Sequence, residues 1–316
     1  MALKLIGSPA TAQKAADFVA GGVKTIAAPR AKVKKYDEAE ELYLKMLLFG
    51  NSGTGKTFLV KALLELGFKV LVLSTDVGGD GLSSVILPLK ASGEWNKVRH
   101  LLRSVEITGY DEIDNFLEKP ELFIDDIYEW DPDFVFWDGM SGWQINDVGT
   151  KVGEYEPGKN ASEAEQDGLQ MNQQKWGQIQ RATLRGLESF CDMRNKKTSK
   201  KWHKIATCLE AIKSRGAGLG GFTESKHPML QGAGGKLAEA AFDIIARTTV
   251  TSSPADEDGS SREYFYVLQG HQNLAAKVRG FSLPARMAAD PKKLMTEVLA
   301  QMGVPLPGLD KPEEVR

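Results

Sequence analysis

An apolar run, a glycine-rich octapeptide and a second apolar-spaced run follow one another without a break. They are Tyr43 to Phe49 (YLKMLLF), Gly50-Asn51-Ser52-Gly53-Thr54-Gly55-Lys56-Thr57, and Thr57 to Leu66 (TFLVKALLEL). The first has the length and composition of a buried strand, and the last has the apolar spacing of a helix. The octapeptide fits G-x-x-x-x-G-K-[ST] at every fixed position, and strand, glycine loop, helix is the order that pattern requires. Such a loop turns successive backbone N–H groups inward as an anion nest, and the helix N-terminus adds partial positive charge beneath it. Gly50, Asn51, Ser52, Gly53, Thr54, Gly55, Lys56 and Thr57 are therefore the candidate nucleotide-binding residues. In that role Lys56 reaches the β- and γ-phosphates and the Thr57 hydroxyl ligates Mg²⁺.

The 316 residues suit one large domain or a core with appendages, and 42% hydrophobic with 26% charged residues is an ordinary globular composition. Net charge is −2, so any nucleic-acid site must be a local basic patch. Cys191 and Cys208 are the only cysteines, which gives neither a disulfide framework nor metal-ligand spacing and fits reduced thiols in a cytoplasmic protein. The N-terminus has no long apolar core, and no run of 18 apolar residues occurs, which argues against secretion and membrane insertion.

Residues 1–40 read as an N-terminal arm, with Lys24, Arg30, Lys32, Lys34 and Lys35 ahead of acidic residues 37–41, a pattern expected of solvated surface. Lys69 to Thr75 (KVLVLST) predicts a strand covered on both faces. It closes on Asp76 and a glycine-rich loop, at the strand end where ligands bind in open α/β sheets. Ser104 to Thr108 predicts a further strand. Asp133 to Asp138 (DFVFWD) predicts another, ending about eighty residues after Lys56 in a carboxylate placed to hold Mg²⁺ through water opposite Thr57. Residues 141–175 form a long polar stretch expected to be a functional loop.

A helix is predicted from Gln178 to Met193. The basic cluster Arg194, Lys196, Lys197, Lys200, Lys201 and Lys204 that follows is either a solvated turn or part of a polyanion track, and spacing does not choose between them. His203 to Ala211 predicts a strand ending near Glu210. Ser214 to Gly235 holds seven glycines in 22 residues and is expected to lack fixed structure until it meets a ligand. Strands are predicted at Ile244 to Ser252 and Glu263 to Gln269 around an acidic turn, and an amphipathic helix at Pro291 to Met302. The sum is an α/β chain with a mostly parallel central sheet flanked by helices, and antiparallel strands toward the C-terminus. The expected divisions are the arm at 1–40, a core at 41–285, and a C-terminal helix and tail at 286–316.

Asp138 is followed by Gly139, so the adjacent Asp-Glu pair of the AAA+ class is missing and a base must come from elsewhere. The ordered series GNSGTGKT, STDVGGDG, FVFWDGMS, NQQKWGQ (172–178), PMLQGAGGKLAEAAFDIIA (228–246) and Lys277-Val278-Arg279-Gly280 resembles RecA-like phage ATPases. It is particularly similar to the single-strand annealing ATPases called Sak-four, relatives of the bacterial recombinases and of RadA and DnaB-type motors. The resemblance spans about residues 43–285 and implies a RecA-like P-loop NTPase fold with ATP and Mg²⁺ as cofactors. By position it makes Asp76 the water-activating carboxylate, where the family usually has Glu, and Glu210 the polar sensor of the γ-phosphate. Residues 214–235 become the DNA-contacting loop, with Arg215 and Lys226 in it and Lys236 directly after it as the cations. Lys277 and Arg279 resemble the K-x-R element that reaches a neighbouring subunit's γ-phosphate. The expected partners are single-stranded DNA, further copies of the chain in a ring or filament, and a phage or host replication or recombination protein. Two other readings are a nucleotide-switched assembly protein with slow hydrolysis and a small-molecule P-loop kinase. The second is disfavoured by the lack of an Arg-rich lid after Asp138.

Overall fold

The computed structural model describes residues 42–75, 80–107, 109–144, 173–217, 221–230, 234–252, 262–270 and 274–307. The arm at 1–40, Asp76, most of the polar stretch at 141–175 and the acidic turn after Ser252 lie outside the described residues.

The strands are β1 (Lys45–Phe49), β2 (Val70–Ser74), β3 (Leu102–Glu106), β4 (Phe134–Asp138), β5 (His203–Cys208), β6 (Glu210–Ala217), β7 (Gly221–Pro228), β8 (Ile244–Ser252), β9 (Arg262–Val267), β10 (Lys277–Val278) and β11 (Arg286–Ala288). Helices of eight or more residues are α1 (Phe58–Glu65), α2 (Ser83–Ala91), α3 (Tyr110–Glu118), α4 (Gln173–Asp192), α5 (Gly234–Ala241) and α6 (Pro291–Met302). Among the described residues, nine strands form one sheet in the order β11-β9-β8-β1-β5-β4-β2-β3, with β10 also on β8. From β8 to β3 every neighbour is parallel. The antiparallel pairs β8–β9, β8–β10 and β9–β11 lie toward the C-terminus, as the sequence predicted. No described helix is long and apolar enough to cross a membrane.

The apolar runs are continuous because both faces of the parallel strands are covered. Met46 and Leu48 of β1 turn to a core shared with Leu59 and Leu63 of α1 and Leu294 and Val298 of α6. Leu47 and Phe49 turn to the opposite core, with Phe116 of α3, Leu187 and Phe190 of α4 and Ala238 of α5. There the Trp137 ring meets Trp143 and Phe190 edge-on at 5.1 and 5.3 Å between centroids. These two layers hold the strands in register and bring the C-terminal ends of β1, β2, β4 and β5 to one edge of the sheet.

Two expectations need correction. The strand predicted from His203 to Ala211 stops at Cys208. The glycine-rich segment forms an antiparallel ribbon, β6 with β7, paired from Glu210↔Pro228 to Ala217↔Gly221. The reason lies in where the glycines fall. Four fall at 216–221, where β6 ends and β7 begins, and three at 232–235, at the start of α5, so the paired arms from Glu210 to Arg215 and from Phe222 to Pro228 carry none. The root is tied to the body by Met229 N–H donating to the Leu209 carbonyl at 2.8 Å and Ala275 N–H to the Lys226 carbonyl at 3.0 Å.

The basic cluster after α4 is also resolved. Lys196 pairs with Glu121 at 3.2 Å, Lys197 with Glu129, and Lys200 with Asp131 and Asp133 at 3.0 and 3.2 Å. Asn195 and Trp202 also donate to Asp131, whose backbone is left-handed at φ 48°. Lys196, Lys197 and Lys200 thus face carboxylates of the same chain, whereas Lys201 lies 4.6 Å over the Tyr43 ring and the buried Lys204 donates to the Met193 and Trp202 carbonyls.

Candidate functional site

The octapeptide loop joins β1 to α1 and is shaped by three glycines for two different reasons. Gly53 and Gly55 have φ of +74° and +85°, the left-handed region that L side chains resist. A Cβ on Gly50 would collide with the hydroxyl and carbonyl oxygens of Thr248 on β8. Thr248 also holds the loop directly, its Oγ1 lying 2.6 Å from Thr54 Oγ1 and donating to the Phe49 carbonyl at 3.2 Å. Lys56 Nζ donates to the carbonyls of Gly50 and Asn51, both at 2.9 Å, which lays the ammonium along the loop. Gly50 N–H donates to the Cys208 carbonyl at the end of β5.

The second half of the site comes from β4. The Thr57 hydroxyl donates to Asp138 Oδ2 at 2.9 Å, and the Thr207 hydroxyl donates to Asp138 Oδ1 at 2.6 Å. Asp138 is 6% exposed. Strand β5 lies between β1 and β4, so the Thr57–Asp138 bond links the loop after β1 to a strand about 10 Å away, whereas Thr207 stands on the strand next to Asp138. Loop and carboxylate line a single cleft of about 370 Å³, together with Ser52, Gly81 and Thr207. Gly81 belongs there because a Cβ on it would sit 3.1 Å from Asp138 Oδ2.

This donor set fits a nucleoside triphosphate with Mg²⁺. Alternating left-handed glycines ahead of a helix N-terminus make an anion nest, and Lys56 supplies positive charge. Among the described residues no three His, Cys, Asp or Glu side chains converge as a metal cage. One hydroxyl (Thr57) and one carboxylate (Asp138) remain, and Mg²⁺ is usually held by that kind of sparse protein set, completed by phosphate oxygens and water.

The other candidates fall elsewhere. Asp76 lies outside the described residues. Glu210 is not among the residues lining the cleft, because it follows the break at Leu209 and opens β6. Its carboxylate is taken by Arg247 of β8, with Nε on Oε2 and Nη2 on Oε1 at 3.2 Å, and its side chain is only 2% exposed. Lys277 and Arg279 sit at the opening of β8: Lys277 Nζ donates to the Glu239 carbonyl, and Arg279, 62% exposed, lies 3.9 Å from Asp243. Burial, then the neighbouring Arg279, pushes the Lys277 ammonium below its ordinary range. From Asp243 to Thr248, beside the loop, is about 16 Å along the strand. Arg279, beside Asp243, thus stands about 16 Å from Thr248 along the strand, and Lys277, opposite Ile245, about 10 Å from it, both toward the start of β8.

The ribbon carries Lys226 on β7, while Arg215 lies on β6 with its side chain outside the described part. Lys236 is exposed on α5. Sequence reasoning missed Thr75, Thr207 and Thr248. Thr75 and Thr207 are hydroxyls at the C-terminal ends of their strands and Thr248 lies midway along β8 among other threonines, positions too common to single them out. Comparison with protein-family models and with curated proteins finds no match for this chain.

Proposed function

We propose that this chain is a RecA-like, Mg²⁺-dependent ATPase that acts on single-stranded DNA as an assembly of like subunits. The observation that carries the reading is the Thr57–Asp138 bond beside the glycine loop at the C-terminal edge of a parallel sheet. It joins the two groups that would hold Mg²⁺ against a phosphate tail.

Within this scheme the loop and Lys56 bind and orient the β- and γ-phosphates. Mg²⁺, when bound, neutralises charge on those oxygens. The catalysis is then mainly positioning and charge stabilisation, which rigid backbone groups supply without reorganising. Asp76 serves as the base that orients water. Arg279, with Lys277 beside it, offers its guanidinium to the next subunit's phosphates, a role suited to a cation exposed far from its own loop. DNA lies along the β6–β7 ribbon and contacts Arg215, Lys226 and Lys236 through its backbone.

The test is turnover of ATP with Mg²⁺, with and without single-stranded DNA. Lys56→Ala is expected to lower turnover at least about 100-fold. Arg279→Ala is expected to be inactive alone and to regain activity when mixed with Lys56→Ala, since each subunit then supplies what the other lacks. Absence of both ATP binding and turnover in the wild type overturns the reading. Tight binding without turnover favours the nucleotide-switched assembly protein instead.

A further inference from the structure

Two neighbouring strands fix the turn that carries Asp138. From β2, Thr75 N–H donates to the Asp138 carbonyl at 3.0 Å. The Thr75 hydroxyl lies 3.1 and 3.0 Å from the carbonyls of Asp138 and Gly139, and it accepts from Trp137 Nε1 at 3.1 Å. Gly139 itself is left-handed at φ +93°. The backbone of the turn is thus held from one side, and what remains free is the rotation of the Asp138 carboxylate.

That freedom is removed from the other side, by β5. An ionised carboxylate only accepts, so the Thr207 hydroxyl must donate to Oδ1, and Gly139 N–H in turn donates to the Thr207 oxygen at 3.0 Å. Both bonds orient the hydroxyl, and its β-branched side chain, 2% exposed on a paired strand, has little rotamer freedom. Thr207 lines the cleft, and its hydroxyl is engaged by Asp138 and by Gly139 N–H.

We propose that Thr207 is a positioning residue: it occupies one oxygen of Asp138 so that the other faces Thr57, and thereby sets how tightly the cleft holds a divalent cation beside a nucleotide. The inference rests on reading the cleft as a Mg²⁺–nucleotide site. A buried hydroxyl that merely filled space would affect stability alone, whereas one that aims a carboxylate controls cation affinity separately from nucleotide affinity. Partners of this outer kind are worth roughly 10- to 100-fold in metal affinity elsewhere.

The experiment uses the full chain and reads Mn²⁺ binding by electron paramagnetic resonance in the presence of a non-hydrolysable ATP analogue. Binding of the analogue in excess chelator is measured separately. Thr207→Val is expected to weaken Mn²⁺ binding about tenfold or more while leaving chelator-insensitive analogue binding unchanged. Thr207→Ser, which keeps the hydroxyl, is expected to restore it. If Val does not fold, as judged by thermal melting, Thr207→Cys takes its place, being near in volume and a weak donor, and the same shift is expected. A folded Val or Cys variant that binds Mn²⁺ as the wild type does, or a Ser variant that restores nothing, overturns the inference while leaving the parent reading intact. A wild type that binds neither analogue nor Mn²⁺ overturns both.

Discussion

His203, the first residue of β5, shows how a single side chain ties this fold to pH. Its Nδ1 accepts from Leu44 N–H at 2.9 Å and its ring packs on Phe134 at 4.7 Å, so the folded chain requires the neutral imidazole. Burial first, and then the positive charges of Lys204 and Lys200, push it down to about 4. Because the folded value lies below the unfolded one near 6.5, the unfolded chain binds the proton first. The stability it contributes is whole above about pH 6.5 and is lost as pH falls from there toward 4. Urea unfolding should show wild type losing about 1–1.5 kcal/mol between pH 7.5 and 5.5, and His203→Gln losing much less; equal losses would disprove the assignment. At this scale the sequence was legible where a fixed pattern named the residue. Lys56 and Thr57 stand where the octapeptide put them, and Asp138 meets Thr57 as its strand-end position implied. Thr207 and Thr248 were not legible, because their value comes from strands brought together over distances of 69 and 194 residues.

Elements tell a similar story with a different cause of error. The parallel strands were readable because burial on both faces demands unbroken apolar runs, as in VLVLS of β2 and FVFWD of β4. The β6–β7 ribbon was misread because a glycine count averages over the tip and the arms. Glu210 was misplaced for the related reason that β5 ends two residues before it. The ribbon is fastened to β8 by the Glu210–Arg247 pair, with side chains only 2% and 16% exposed. Removing one partner of a buried pair leaves a charge without compensation, typically about 3–5 kcal/mol. Arg247→Ala should therefore lower the unfolding free energy by about 3 kcal/mol. A double-mutant cycle with Glu210→Gln should show a coupling above about 1 kcal/mol, and additive losses would mean that the pair does not act as a unit.

Over the whole molecule, charge is balanced and local. With a net charge of −2 and the basic turn after α4 paired to carboxylates, long-range attraction to a polyanion is weak. If DNA meets only the ribbon and α5, about three phosphates are neutralised, and a plot of log affinity against log salt should have a slope near −2. A filter-binding or anisotropy titration in which the slope approached −5 would show that other surfaces take part. Gly50 and Thr248 carry a last consequence. They are 198 residues apart, yet any side chain at Gly50 strikes β8, whether or not a phosphate is ever bound. Gly53 and Gly55 are held by their backbone angles alone. Under the proposed activity, a descendant that had ceased to turn over nucleotide would still keep all three glycines through selection for folding. Drift at Lys56, Thr57 and Asp138, rather than at the glycines, would record the loss, and in tracing such lineages the lysine, the threonine and the aspartate are the informative positions of this cleft.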